Sequence, residues 1–301
     1  MMTAPFPMTS LASLLKDPPP AYAFELSEAG IAFARIAEPG QVNFTPLDAG
    51  VLLVSPAHDN IHQPQVVQER IHALAPPNGH RKRRAALILP DYCARVAVLD
   101  FDDFPADQQD QIALLRFRMK KSVPFDVDSA IVSYAVQARG TGARAKVEVL
   151  AALMGSEIVA RYEAPFRTAG FHPGMVTTSS LAALNLFQPA GITMLVKISG
   201  RVLSVLVLDG STLKLARYVE TDEARPEEIE AVLHPTVAYI EDELKAKPQR
   251  IWLCGFGSRS AELTAQWNAE WGVEVEPLRS RFGAPGANDA GLLGYLESVA
   301  R

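Results

Sequence analysis

The strongest constraint in this sequence is an order of elements that occurs twice. In each half, consecutive short β-strands come first, and helix and strand then alternate. In the first half, residues 21–36 alternate around Ser27-Glu28-Ala29-Gly30 and read as a β-hairpin. Residues 42–46 and 50–54 read as further strands. The spacing predicts a helix over 60–74 and a fully apolar strand over 85–89, closed by Pro90. In the second half, residues 193–198, 201–208 and 212–219 read as three strands, with tight turns at Ser199-Gly200 and Asp209-Gly210. A long helix over 225–247 follows, with a kink expected at Pro235. A strand over 250–254, a helix over 261–271, a short strand over 273–277 and a closing helix over 291–299 complete the chain.

Between the halves the pattern changes. Residues 95–101 read as a strand. Residues 105–122 read as a helix that opens with Asp107 and Asp110 and ends with Arg116, Arg118, Lys120 and Lys121, a polarity that suits the helix dipole. Val123-Pro124-Phe125 stops it. Residues 130–138 and 146–154 read as strands joined by a turn at 140–142. Helices are expected over 156–169 and 179–187. A strand meander followed by helical crossovers demands a mixed sheet with helices on its faces. Two such halves with a cleft between them describe an α/β, duplicated, actin-like (ASKHA) fold.

Composition removes several function classes. With 48% hydrophobic residues in 301, the chain has globular composition rather than that of a disordered one. The net charge of −5 argues against a general nucleic-acid binder. Two cysteines, Cys93 and Cys254, give no disulfide framework and read as small buried apolar groups, which fits a reducing compartment. The most apolar run, 192–208, is interrupted by Lys197 and Arg201 and is too short to span a bilayer. Residues 1–20 read as a tail. They carry a short amphipathic stretch over 10–16 and the extended run Pro18-Pro19-Pro20, and they lack the basic start of an export signal.

The middle of the chain resembles a known family. Pro90-Asp91 after an apolar strand, the strand 95–101, and a helix ending in Val123-Pro124-Phe125-Asp126 are similar to a stretch of the PilM family, the actin-like cytoplasmic proteins of type IV pilus assembly. Phe171-His172-Pro173 resembles that family's step into its next strand. A looser likeness is to the cytoplasmic part of GspL from type II secretion. The resemblance implies two lobes, 21–187 and 188–301, with a PilM/FtsA-type subdomain inserted at about 91–172. It also implies a scaffold at the inner face of the bacterial inner membrane, reaching the membrane only through partners. Those partners would be the N-terminal tail of a PilN-like membrane protein and other pilus platform proteins, with homo-oligomers an open question. Val123, Pro124 and Phe125, which match the motif, are the candidate groove for the tail. They read equally as a helix stop with Phe125 in the core.

The phosphate-binding positions depart from the actin-like pattern. Such proteins carry an acidic residue and a glycine in each of two hairpin turns, where the acid manages metal and water and the glycine admits phosphate. Here Glu25 and Ser27 stand in the first hairpin, with Glu28 adding a second negative charge. Lys197, Ser199 and Gly200 stand in the second. A lysine cannot ligate Mg²⁺. Gly255 and Gly257 remain as an adenosine-side loop. The expectation is therefore a scaffold without ATP hydrolysis, a catalytic residue or a metal. The alternative is an ATP-binding switch in which Lys197, Gly255 and Gly257 contact the nucleotide.

Two further features stand apart. His58 and His62 share helical i, i+4 spacing, either as ligands or as surface residues, with no carboxylate or cysteine cluster to complete a metal site. His80-Arg81-Lys82-Arg83-Arg84 is a basic run in an acidic chain. It reads either as a solvated loop or as a surface for anionic lipid or an acidic partner.

Overall fold

The computed structural model describes residues 18–77, 83–139 and 146–300. The tail over 1–17, His80, Arg81 and Lys82 of the basic run, and the turn at 140–142 lie outside them.

Two five-stranded sheets form the body. The first holds β1 (Tyr22–Ser27), β2 (Gly30–Arg35), β3 (Asn43–Pro46), β4 (Arg83–Leu89) and β8 (Phe171–Thr178), in the spatial order β3-β2-β1-β4-β8. The second holds β9 (Ile192–Ser199), β10 (Val202–Asp209), β11 (Thr212–Glu220), β12 (Arg250–Cys254) and β13 (Glu274–Pro277), in the order β11-β10-β9-β12-β13. In each, the first three strands are antiparallel and the last two run parallel to the first. The helices repeat as well. The first lobe has α1 (Pro64–Leu74), α3 (Ser156–Thr168) and α4 (Ser179–Ala183); the second has α5 (Pro226–Glu243), α6 (Ser260–Trp271) and α7 (Ala290–Val299).

Helices cover both faces of the central strands, so these strands carry apolar residues without alternation. β9 and β10 are buried at nearly every position. Each lobe has a core on its outer face. Phe24, Phe33, Ile71, Leu87, Tyr162 and Phe166 pack in the first; Val196, Val205, Ile229, Ile240 and Trp267 pack in the second. Between the lobes, α4 and α7 cross in direct contact. A Cβ on Gly294 would lie 2.1 Å from the Ala182 carbonyl oxygen, so only glycine permits this crossing.

The insertion is a three-stranded antiparallel sheet of β5 (Arg95–Phe101), β7 (Val147–Met154) and β6 (Ile131–Arg139), in the order β5-β7-β6, with α2 (Gln108–Met119) against it. It ends earlier than the expected 172. Tyr162, Phe166 and Phe171 pack in the core of the first lobe, and α3 and β8 fill the places that α6 and β13 take in the second. The insertion also touches the second lobe. Val96, Val98 and Leu150 share a cluster with Leu206, Leu208 and Leu213. The Gln137 side chain pairs with the Leu213 backbone twice, at 2.9 Å each, and Lys214 meets Glu148 at 2.7 Å.

Several local expectations are corrected. Residues 50–54 form no strand, only a bridge from Leu52 to Ile61. Helix α1 starts at Pro64, so exposed His58 and His62 lie before it and share no helical face. The helix expected over 225–247 ends at Glu243 and continues through Pro235. Pro20 belongs to the fold rather than the tail. It is buried, and its carbonyl accepts the Tyr295 hydroxyl at 2.8 Å.

Candidate functional site

The site lies where the two hairpin turns face each other across the lobes. Glu25 on β1 and Lys197 on β9 each sit two residues before their turn, at equivalent places in the repeat. They carry opposite charge, and both are buried. Apolar neighbours along both strands take these side chains out of water, so each charge needs a partner.

The structure supplies those partners from the chain itself. Lys197 Nζ donates to Asp91 Oδ2 at 3.1 Å. Asp91 follows β4 in a single 3-10 turn (Asp91–Cys93), and it is also buried. Its Oδ1 accepts the Ser180 backbone N–H at 2.7 Å, and its Oδ2 also accepts the Ser204 hydroxyl at 2.8 Å. The Ser180 hydroxyl pairs with the Tyr218 hydroxyl at 3.2 Å. Glu25 Oε2 accepts the Leu292 N–H at 2.7 Å, in the first turn of α7, and Oε1 accepts the Ser179 hydroxyl. The positive end of α7 thus holds an internal carboxylate, as helix N-termini hold anions.

The electrostatics follow from burial. Desolvation pushes the Glu25 carboxyl up to about 7, against the opposing pull of Lys197, Ser179 and Leu292. Burial alone would push the Lys197 amine down, but Asp91 and Glu25 together hold it above its ordinary value. Burial raises both thiols, Cys254 to about 12 and Cys93 further, so neither is a ready nucleophile. Both are free and buried.

The turns leave little space. Ser27, Glu28, Asp91, Ser199, Gly200 and Arg201 are among the residues lining a cavity of about 30 Å³. That is room for about one water, whereas small-ligand pockets run to several hundred Å³. Glu28 accepts the Val54 N–H at 2.7 Å, and Ser27 closes its own hairpin by bonding Gly30. Gly255 has φ +87, and a Cβ there would lie 2.0 Å from the Ile198 carbonyl oxygen, so the loop after β12 packs directly on β9. A Cβ on Gly257 would meet nothing within 4 Å. These residues do not fit a nucleoside triphosphate with Mg²⁺. The acids are engaged internally, and an ammonium stands where a metal would need oxygen ligands.

The structure therefore brings Glu25, Ser27, Lys197, Ser199, Gly200 and Gly255 to one place, and it adds Asp91, Ser179, Ser180, Ser204 and Tyr218. The sequence signal that could have found Asp91 is the lone lysine in an apolar strand, which demands a carboxylate somewhere in the chain. Val123, Pro124 and Phe125 lie in the insertion, away from this cleft. Val123 and Phe125 are half-buried against its core, and Pro124 is exposed. Arg83 corrects the basic-run reading. It is buried, donates to the Ala75, Pro76 and Ala169 carbonyls at 2.6–3.0 Å, and lies 3.8 Å over the Phe171 ring. Its guanidinium satisfies the carbonyl ends of α1 and α3, as cations do at helix C-termini. Arg84 is half-buried and reaches the Pro18 carbonyl at 3.2 Å. Among the described residues no group of histidine, cysteine or carboxylate side chains could hold a metal ion. No described helix is long and apolar enough to cross a membrane.

Two lobes of one topology, facing across α4 and α7, define the actin-like ATPase fold. Solved structures share it. A chain of a PilM–PilN type IV pilus biogenesis complex superimposes with a TM-score of 0.65, covering 94% of this chain and 97% of its own at 17% identity. A Bacteroides thetaiotaomicron protein with an actin-like ATPase fold and unknown function gives 0.53, covering 90% and 94% at 12% identity. The cytoplasmic domain of EpsL, an inner-membrane component of the Vibrio cholerae type II secretion system, gives 0.51, covering 93% and 94% at 14% identity. No family model and no curated protein matches the sequence.

Proposed function

We propose that this chain is a scaffold in the inner-membrane assembly platform of a type IV pilus or a related secretion system. In this reading it binds the N-terminal tail of a PilN-like membrane protein and does not hydrolyse ATP. It sits at the cytoplasmic face of the inner membrane through that partner. The observation that carries the reading is the Asp91–Lys197 pair, which occupies the cleft where an actin-like ATPase would hold phosphate and metal. The likeness to a chain of a PilM–PilN complex and to an inner-membrane secretion component supports the platform role. Val123, Pro124 and Phe125 are the groove residues assigned to the tail.

The test is a binding titration of the full chain with a synthetic peptide of the tail of the PilN-like protein from the same genome. Binding at tens of micromolar or tighter, lost in Phe125→Asp, supports the reading. No binding at that concentration overturns it.

A further inference from the structure

Helix α2 has a face that the fold does not use. Leu115 and Met119 are buried on its inner side. Arg116 is drawn back to the Ala130 carbonyl at 3.0 Å, and Arg118 lies 5.1 Å over the Phe101 ring. The outer side carries Asp110, Ala113 and Phe117, and Lys120 follows at the C-cap, all exposed and three or four residues apart. That spacing puts them in one stripe. Phe117 is 76% exposed, well above Phe44, Leu53 and Ile131, the other exposed large hydrophobic residues among those described. Among the described residues, no ion pair engages Asp110 or Lys120.

The stripe is acidic at its start, apolar in its middle and basic at its end. The helix dipole accounts for the order of the charges. It does not account for an aromatic ring standing in water between them. The order is self-complementary about Leu115. Turned end for end, Asp110 faces Lys120 and Ala113 faces Phe117. An isologous dimer requires this, since residue i then meets residue j and j meets i.

We propose that α2 is a homodimer contact. Two copies of this chain pair their α2 helices antiparallel across a two-fold axis at Leu115. Phe117 of each copy covers the small Ala113 of the other, and Asp110 pairs with Lys120 at both ends. Antiparallel helices packed at about 20° keep such a stripe in register over the roughly 18 Å of a twelve-residue helix. One helix face is smaller than a standard stable interface of about 1,600 Å². The dimer is therefore weak and concentration-dependent, and the charge pairs set its register more than its strength. The proposal rests on the exposed stripe of α2 and stands whether or not Val123, Pro124 and Phe125 bind a tail.

Sedimentation velocity of the full chain, up to about 1 mM, tests it. The expected result is a reversible monomer–dimer equilibrium. Phe117→Ser abolishes it. Asp110→Lys and Lys120→Asp each weaken it roughly tenfold, because like charges then meet at both ends. The double variant Asp110→Lys/Lys120→Asp restores it, because reversing both ends recovers the complement. The three substitutions in these four variants are at exposed positions, so unchanged circular dichroism, with a melting temperature lowered by no more than the few degrees the helix-dipole charges supply, separates lost association from lost folding. A monomer at every concentration overturns the proposal, and so does a dimer that ignores Phe117 or that the double reversal fails to rescue.

Discussion

Lys197 Nζ lies 3.1 Å from Asp91 Oδ2, with both side chains at 2% exposure or less and the two residues 106 positions apart in the chain. One partner comes from the second lobe's first strand and the other from the turn after β4 of the first lobe. The contact ties the lobes together with the chain's own charges. Replacing Lys197 with Met leaves Asp91 buried and uncompensated, with only Ser180 N–H and the Ser204 hydroxyl as donors. Breaking a buried pair in this way costs about 3–5 kcal/mol. Lys197→Met/Asp91→Asn removes both charges, keeps an acceptor for Ser180, and recovers most of that loss. Equilibrium denaturation in urea measures both variants. A single variant as stable as the double would refute the role of the pair.

Glu25 sets a pH dependence of unusual sign. Its carboxyl titrates at about 7 in the folded chain, against 4.5 for a glutamate in water. The folded state therefore binds the proton more tightly, and stability falls as the pH rises. The contribution is fully present below about 4.5 and is lost as the pH passes through about 7. Over that window it amounts to about 3 kcal/mol. Glu25→Gln mimics the neutral form and keeps bonds to Ser179 and the Leu292 N–H. It should flatten the slope between pH 5 and 7 and be more stable than the parent at pH 8. Unfolding free energies measured across this range decide the matter, and a parent that gains stability from pH 5 to 7 would contradict the assignment.

A cavity of about 30 Å³ between the hairpin turns admits no triphosphate without parting the lobes, which the Asp91–Lys197 bond opposes. Millimolar Mg-ATP is expected to leave the melting temperature unchanged. A ligand at 100 times its dissociation constant would add about 2.7 kcal/mol, a shift of several degrees for a chain of this size. A shift of that size would favour the nucleotide-switch reading instead.

The loop at Gly255 packs directly against β9. A Cβ there would strike the Ile198 backbone oxygen, and φ is +87. Gly255→Ala should cost more than the 1–2 kcal/mol of a left-handed alanine alone, because the backbone must also move. Gly257→Ala has φ +56 and open space around it, so it carries only the conformational term. Comparing the two melting temperatures separates a packing glycine from a phosphate-loop glycine. Equal losses would count against this account.

What could be read from the sequence depended on the range of the interaction. The repeated order was legible because β9 and β10 are apolar runs, β11 mixes apolar and polar residues, and two-residue turns separate the three, all of which are local signals. Lys197 was legible as a departure, since a charge within such a run breaks the pattern. Its partner was not, because the pairing with Asp91 spans two lobes and leaves no local trace. The end of the insertion was misplaced for a related reason. The amphipathic pattern of α3 is the same whether it packs on the insertion or on α1, and only its contacts with α1 and β8 assign it to the lobe. Likewise, nothing in a run of basic residues marks which one turns inward.

Arg83 is that residue, and its substitution provides the sharpest check on the basic run. Its guanidinium donates to three carbonyls at the ends of two helices while stacking on Phe171, a geometry that needs a planar fork. Burial lowers its pKa, with Tyr22 opposing, yet the charge is kept. Arg83→Met leaves those carbonyls unpaired in a buried place, at about 1–3 kcal/mol for the orphaned acceptors. Arg83→Lys keeps the charge but reaches fewer of them and should recover only part. Chemical denaturation gives the two losses. Co-sedimentation with vesicles of anionic lipid gives the second readout, and both variants should bind as the parent does, because Arg83 does not face solvent. Reduced vesicle binding at unchanged stability would return Arg83 to the surface and revive the lipid reading of the run.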